Sequence, residues 1–235
     1  MPRNARQTPG GYVYHVLNRA AAHLTLFAKP ADYDAFVDLL DEALAKHPCR
    51  LLAYCVMPTH WHFVLWPQGD GEMSALLRWL TLTHAVRWQT HFHCIGSGHV
   101  YQNRFKAFPV AEDDHLYAVL RYVERNPLRA GLVKHVCDWP WSSAACRRAG
   151  GEASQRLHPW PVPYPRNWLT RVEKPQTEAE LAALRQCVVR GRPYGSETWV
   201  EGVVERLGLQ SSVRPRGRPH KQPPEDTRNR GSREK

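Results

Sequence analysis

Acidic side chains are in deficit in this chain. Its 235 residues hold 22 Asp and Glu against 32 Lys and Arg, a formal net charge of +10. Such an imbalance disfavours cationic partners and points to polyanions, nucleic acid first. Cys-X-X-Cys is also missing: the six cysteines stand at positions 49, 55, 94, 137, 146 and 187. That excludes a zinc ribbon and a thioredoxin-like centre, and the irregular spacing reads as reduced thiols inside a cell. No run approaches the roughly 18 apolar residues of a membrane span, and no apolar signal segment opens the chain, so a cytoplasmic, nucleoid-associated protein is expected. What is present is an apolar fraction of 43%, enough for the core of one domain with an appendage.

The order of elements follows from periodicity and punctuation. Residues 12–17 are rich in β-formers and read as a strand, with 24–27 as a possible partner after a turn at 20–22. Pro30 opens a helix whose apolar stripe is Phe36, Leu39, Leu40 and Leu44. Residues 51–56 and 60–66 are two strands joined by the tight Met57-Pro58-Thr59 connection. A long helix covers 72 to about 91. A strand lies within 101–110, and a helix over 111–126 is closed by Pro127. This order, β, α, β, β, α, β and then an extra helix, predicts an α+β fold of ferredoxin-like (RRM-like) type. Its antiparallel sheet carries helices on one face and leaves the other for a ligand or for the extra helix. The expected domains are 1–148 for this unit, 149–176 for a Pro-rich linker or wrap, 177–210 for a small helical region around a Gly turn, and 211–235 for a disordered basic tail.

One stretch carries chemistry. His60-Trp61-His62 lies in an apolar, aromatic strand, so both imidazoles project from one face. Two adjacent imidazoles can hold a divalent metal, and they can equally be packed or exposed strand residues. A metal site needs a third ligand, and the helix ending at Pro127 offers Asn126. Tyr122 lies four residues earlier, on the same helix face. If that face covers the free side of the sheet, Asn126 completes the metal shell and Tyr122 becomes a nucleophile beside a Lewis acid. The donor set suits Mg²⁺ or Mn²⁺, with two imidazoles leaning towards Mn²⁺. Taken singly, Tyr122 also reads as a half-buried aromatic and Asn126 as a helix cap. Arg19, Arg104 and Lys106 flank the proposed site as candidate DNA-phosphate contacts, or as solvated charge. Trp61 alternates with the histidines and reads as core. Trp139 and Trp141 read as packing residues more than as base-stacking platforms.

Longer motifs extend this pattern over most of the chain. They are Tyr14-His15-Val16-Leu17-Asn18-Arg19, the run from Tyr54 to Pro67, and Gly98-His99-Val100-Tyr101-Gln102-Asn103-Arg104-Phe105-Lys106-Ala107-Phe108-Pro109-Val110. Arg121-Tyr122-Val123-Glu124-Arg125-Asn126-Pro127-Leu128-Arg129-Ala130-Gly131-Leu132-Val133, Asp138-Trp139-Pro140-Trp141-Ser142-Ser143, Gly191-Arg192-Pro193-Tyr194-Gly195 and a basic Arg-Pro-Arg-Gly-Arg-Pro tail follow in order. In these motifs the chain resembles the REP-associated tyrosine transposases, a branch of the HUH single-strand transposases (IS200-like transposases). The resemblance implies that His60 and His62 are the metal-binding pair, that Tyr122 is the catalytic tyrosine, and that Asn126 stands where related enzymes place a polar third ligand. It implies cleavage and rejoining of single-stranded DNA near palindromic hairpins, through a 5′-phosphotyrosine and without a nucleotide cofactor. A monomer is expected from the long tail. Two positions depart from the pattern: Ala20 and Asn103 stand where Gly is common. Two other functions compete. One is a non-catalytic hairpin DNA or RNA-binding module; the other is a metal-dependent hydrolase in which water attacks.

Overall fold

The computed structural model describes residues 8–22 and 24–214, without the side chains of Glu152 and Ala153. Four strands, β1 (Val13–Arg19), β2 (Arg50–Met57), β3 (His60–Trp66) and β4 (Lys106–Val110), form one sheet. Its order is β2-β3-β1-β4, and every pair in it is antiparallel. The helices are α1 (Pro30–Lys46), α2 (Glu72–His91), α3 (Asp114–Glu124), α4 (Asn126–Arg129), α5 (Ser143–Ala149), α6 (Trp168–Glu173), α7 (Glu178–Arg190), α8 (Glu197–Arg206) and α9 (Gln210–Val213). With β1-α1-β2-β3-α2-β4 in sequence, this is the expected ferredoxin-like arrangement.

Side-chain alternation divides the core into two layers. On one face Tyr14, Val16, Tyr54, Val56, Trp61, Phe63 and Leu65 pack against Phe36, Leu39 and Leu40 of α1 and Leu76, Leu77 and Leu80 of α2. Trp61 is fully buried there, as its alternation with the histidines predicts. On the other face Val13, Cys55, Val64, Phe108 and Val110 pack against Leu116, Val119, Leu120, Tyr122 and Val123. The extra helix α3 therefore covers the side of the sheet that the first two helices leave, which is also the side of His60 and His62.

Both sheet edges are covered. Along β2, Val56 N–H donates to the Trp141 carbonyl, Tyr54 N–H to Ser143 Oγ, and His158 N–H to the Leu51 carbonyl, at 2.8–3.1 Å. Trp139 Nε1 donates to the Val56 carbonyl at 2.8 Å, and Trp141 Nε1 donates to Asp34 while its ring stacks on Tyr33 at 4.1 Å. Both tryptophans are packing residues, as read from the sequence. Along β4, Tyr194 N–H donates to the Pro109 carbonyl and Ala111 N–H to the Tyr194 carbonyl, each at 2.9 Å. Leu181, Leu184 and Cys187 of α7 join the core beneath α3.

Three local expectations are revised. Residues 24–27 are not a strand: Leu26 and Phe27 both donate to the Pro58 carbonyl, so they close over the β2-β3 turn instead of pairing with β1. The strand sought within 101–110 is confined to 106–110, with Tyr101 making one isolated bridge to Ala20. The helix expected to reach Asn126 stops at Glu124, and Asn126 opens α4. Pro127 has no N–H to donate to Val123, which removes one rung of the helical ladder. Arg125 N–H still reaches Arg121, and Arg129 N–H still reaches Arg125. Ala at position 20 fits without strain: among the described non-glycine residues only Ala22 and His93 have positive φ, 43° and 50°. Residues 211–213 lie in α9, and 215–235 fall outside the described residues.

Candidate active site

Strand geometry sets the histidines. His60 faces Arg19 across the β1-β3 ladder and His62 faces Leu17, so both imidazoles rise from the α3 face with ring centroids 5.0 Å apart. His62 is 4% exposed; His60 is only partly covered, at the strand's open end. Each ring engages its Nδ1: His60 with Thr59 Oγ1 at 3.1 Å, His62 with His15 Nε2 at 2.9 Å. Neither Nε2 has a hydrogen-bond partner among the described residues. Burial, with Arg19 and Arg129 nearby, lowers the His60 pKa to about 4. Burial and the neighbouring His60 and His15 press His62 well below its ordinary value. Both rings are therefore neutral near pH 7, the state in which imidazole binds a metal.

Tyr122 comes down onto this pair from α3. It is 8% exposed, and its ring meets the His62 ring edge-on at 5.8 Å and the His15 ring at 5.9 Å. Among the described residues its hydroxyl has no hydrogen-bond partner. The break after α3 and the single turn of α4 then bring in Arg129, the last residue of α4, which helical spacing alone does not single out. Its guanidinium lies 4.3 Å above the Tyr122 ring, contacts the Tyr122 carbonyl at 3.5 Å, and donates to Asn126 Oδ1. One planar cation thus spans the Tyr122 phenol ring and the Asn126 amide. Asn126 is 6% exposed, and its Nδ2 is buried without a partner.

The histidine pair fits a divalent metal, since both rings are neutral and each keeps Nε2 for it. Asn126 is adjacent through Arg129, but its oxygen is engaged by that guanidinium. Among the described residues no group of three His, Cys, Asp or Glu converges as a ready-made metal site. Arg19 stands directly opposite His60, and Gln102 N–H donates to the Arg19 carbonyl at 3.0 Å, which anchors the loop carrying Arg104 at this end of the sheet. Lys106 faces Leu17 across β1-β4, two strands from His62 on the same side. Arg19, Arg104 and Lys106 are exposed. His15 is the other residue that spacing did not single out; its signal, a histidine two positions from the residue opposite His62, is visible only once the register is known.

Fold and site together define a class: ferredoxin-like proteins whose strand-borne histidine pair faces a tyrosine on a covering helix. The chain belongs to the IS200-like transposases, whose family description, "Transposase IS200 like", matches residues 10–126. It is 30% identical over 98 residues to a REP-associated tyrosine transposase of Escherichia coli, a match that spans 41% of this chain and 54% of that protein. It is 24% identical over 148 residues to a Haemophilus influenzae protein named as a candidate REP-associated tyrosine transposase, spanning 58% of this chain and 81% of that one. The solved structure of a REP-associated tyrosine transposase bound to a REP hairpin shares the fold, with a TM-score of 0.50 and 23% identity over 68% of this chain and 89% of that chain. Among the described residues no helix is long and apolar enough to cross a membrane.

Proposed function

We propose that this protein cleaves and rejoins single-stranded DNA beside hairpins formed by palindromic repeats, with Tyr122 as the nucleophile. The Tyr122 oxygen attacks a phosphodiester phosphorus. The new bond is Tyr122 O–P, with the phosphate kept on the 5′ end of the downstream strand; the bond broken is P–O3′, and the proton released by the phenol balances the one taken up by the departing 3′-oxygen. Reversal by another 3′-hydroxyl rejoins strands. The phosphotyrosine conserves the energy of the bond, so no nucleotide is consumed. His60 and His62 would hold Mg²⁺ or Mn²⁺ through Nε2, with Asn126 joining through Oδ1 once that oxygen turns from Arg129. When bound, the ion would polarise the phosphoryl oxygens. Arg19, Arg104 and Lys106 would grip the flanking phosphates.

The observation that carries this reading is the contact of the Tyr122 ring with His62, an imidazole held neutral and keeping Nε2 without a partner. The experiment is covalent capture. The full chain is incubated with Mn²⁺ and a hairpin oligonucleotide bearing a single-stranded 5′ extension, then run on a denaturing gel. A protein–DNA adduct absent in Tyr122→Phe is expected. Hairpin binding with no adduct in the unaltered chain would make it a binding module. Cleavage that survives Tyr122→Phe would make it a hydrolase using water.

A further inference from the structure

A third histidine stands behind the His60–His62 pair. His15 lies on β1, two residues from Leu17, the register partner of His62, so it shares the α3 face and sits diagonal to His62. Its Nε2 is 2.9 Å from His62 Nδ1, and the two rings meet edge to edge, nearly coplanar, with centroids 5.1 Å apart and planes 10° from parallel. Phe108, its partner across β1-β4, closes the other side edge-on at 5.0 Å, and Tyr122 approaches at 5.9 Å. The ring is 1% exposed and has little room to turn.

We propose that His15 is the positioning residue of the metal site, accepting Nδ1–H of His62 and thereby fixing the tautomer in which Nε2 of His62 is bare. This rests on the reading of His60 and His62 as metal ligands. A neutral imidazole carries one proton on one of two nitrogens, and an acceptor at Nδ1 selects the form that can ligate through Nε2. His60 has its own partner in Thr59 Oγ1; His62 is buried and has only His15. The arrangement leaves His15 Nδ1 buried with no partner. An orphaned donor of this kind costs about 1–3 kcal/mol. An apolar residue such as those around it would avoid that cost, so packing alone gives no reason for a histidine here. Through its edge contact with Tyr122 the same ring also sets the distance between nucleophile and ligand.

The test compares the full-length protein with His15→Leu, which keeps apolar bulk, and His15→Gln, whose side-chain oxygen reaches about as far as Nε2. Mn²⁺ affinity is measured without DNA, by titration calorimetry or the free-ion electron paramagnetic resonance signal. His15→Leu is expected to weaken Mn²⁺ binding about 10–100-fold, while His15→Gln stays within about threefold of the unaltered chain. If folded His15→Leu binds as tightly as the unaltered protein, His15 is packing and the proposal fails while the ligand assignment stands. If the unaltered chain binds no Mn²⁺, the ligand assignment fails and takes the proposal with it. Should His15→Leu not fold, imidazole ¹⁵N spectra of the unaltered protein decide: a proton on Nδ1 of His62 is expected, and a proton on Nε2 overturns the role.

Discussion

Arg129 does more at this site than its surface-like sequence position suggests. Its guanidinium covers the Tyr122 ring and holds Asn126, so one substitution removes a cation from above the phenol and leaves the amide without its partner. Arg129→Ala is expected to slow adduct formation about 100-fold, the size of effect seen when one charge-stabilising group leaves an active site. Lys should not restore it, because an ammonium lacks the planar fork that reaches ring and amide together. Rates of adduct formation at saturating hairpin DNA check both statements. On the opposite face of the sheet, His84 is buried with Nδ1 2.7 Å from the Tyr101 hydroxyl, and burial lowers its pKa to about 4. The folded form resists a proton that the unfolded chain accepts near pH 6.5. The contribution of His84 is thus complete above that pH and is lost as pH falls towards 4. Urea unfolding at pH 7 and pH 4.5 should show a drop on the order of 2 kcal/mol smaller in His84→Gln than in the unaltered chain. The histidine pair and Tyr122 were legible in the sequence because strand alternation and one helical turn are local rules. Arg129 and His15 were not, because their roles come from neighbours reached only through register and a broken helix.

The elements that position the site depend on one buried carboxylate. Glu124 is fully buried at the end of α3, where it accepts from Ser143 Oγ at 2.6 Å, Trp168 Nε1 at 2.7 Å and Arg147 Nε at 3.4 Å. It ties α3 to α5 and α6, and so sets the pose from which Tyr122 meets the sheet. Glu124→Ala should destabilise the fold by about 3 kcal/mol, because three donors lose one acceptor and Arg147 loses its partner charge. Denaturant unfolding measures the loss, with Glu124→Gln falling between. Most elements could be read from periodicity and stop signals: α2 lies over 72–91 as expected, and β3 over 60–66. Residues 24–27 misled because their composition suits a strand, while the Pro58 carbonyl took both backbone donors. Helix α3 ends short of the expected Asn126 because Pro127 marks the break from the far side: the ladder fails before the proline, and the chain resumes its turn at once in α4.

At the scale of the whole molecule, the proposed function divides the work between charge and topology. On that reading the sheet and its covering helix would hold the chemistry, and the net charge of +10 would supply attraction to DNA. From Arg214 onward the sequence holds eight basic residues, among them Arg214, Arg216, Arg218 and Lys221, against three acidic ones. Removing residues from Arg214 onward should weaken single-strand binding and flatten its salt dependence by about 0.7 in log–log slope for each phosphate that is no longer neutralised. Fluorescence anisotropy across a salt series gives the slope, and an unchanged value would place these cations outside the DNA interface. The layer order was readable from the succession of strands and helices. The packing of α7 under α3 was not, because Leu181, Leu184 and Cys187 look like any short amphipathic helix until a partner surface is known.

The sheet that carries the histidines is bordered on both sides, by the 139–160 segment along β2 and by Tyr194 at the Pro109–Ala111 end of β4. Such borders oppose growth of the sheet by a strand from outside, whether from a peptide or from another copy. Among the described residues, a macromolecule that engages this sheet therefore meets side chains, such as those at the loop end beside Arg19 and His60, more readily than edge backbone.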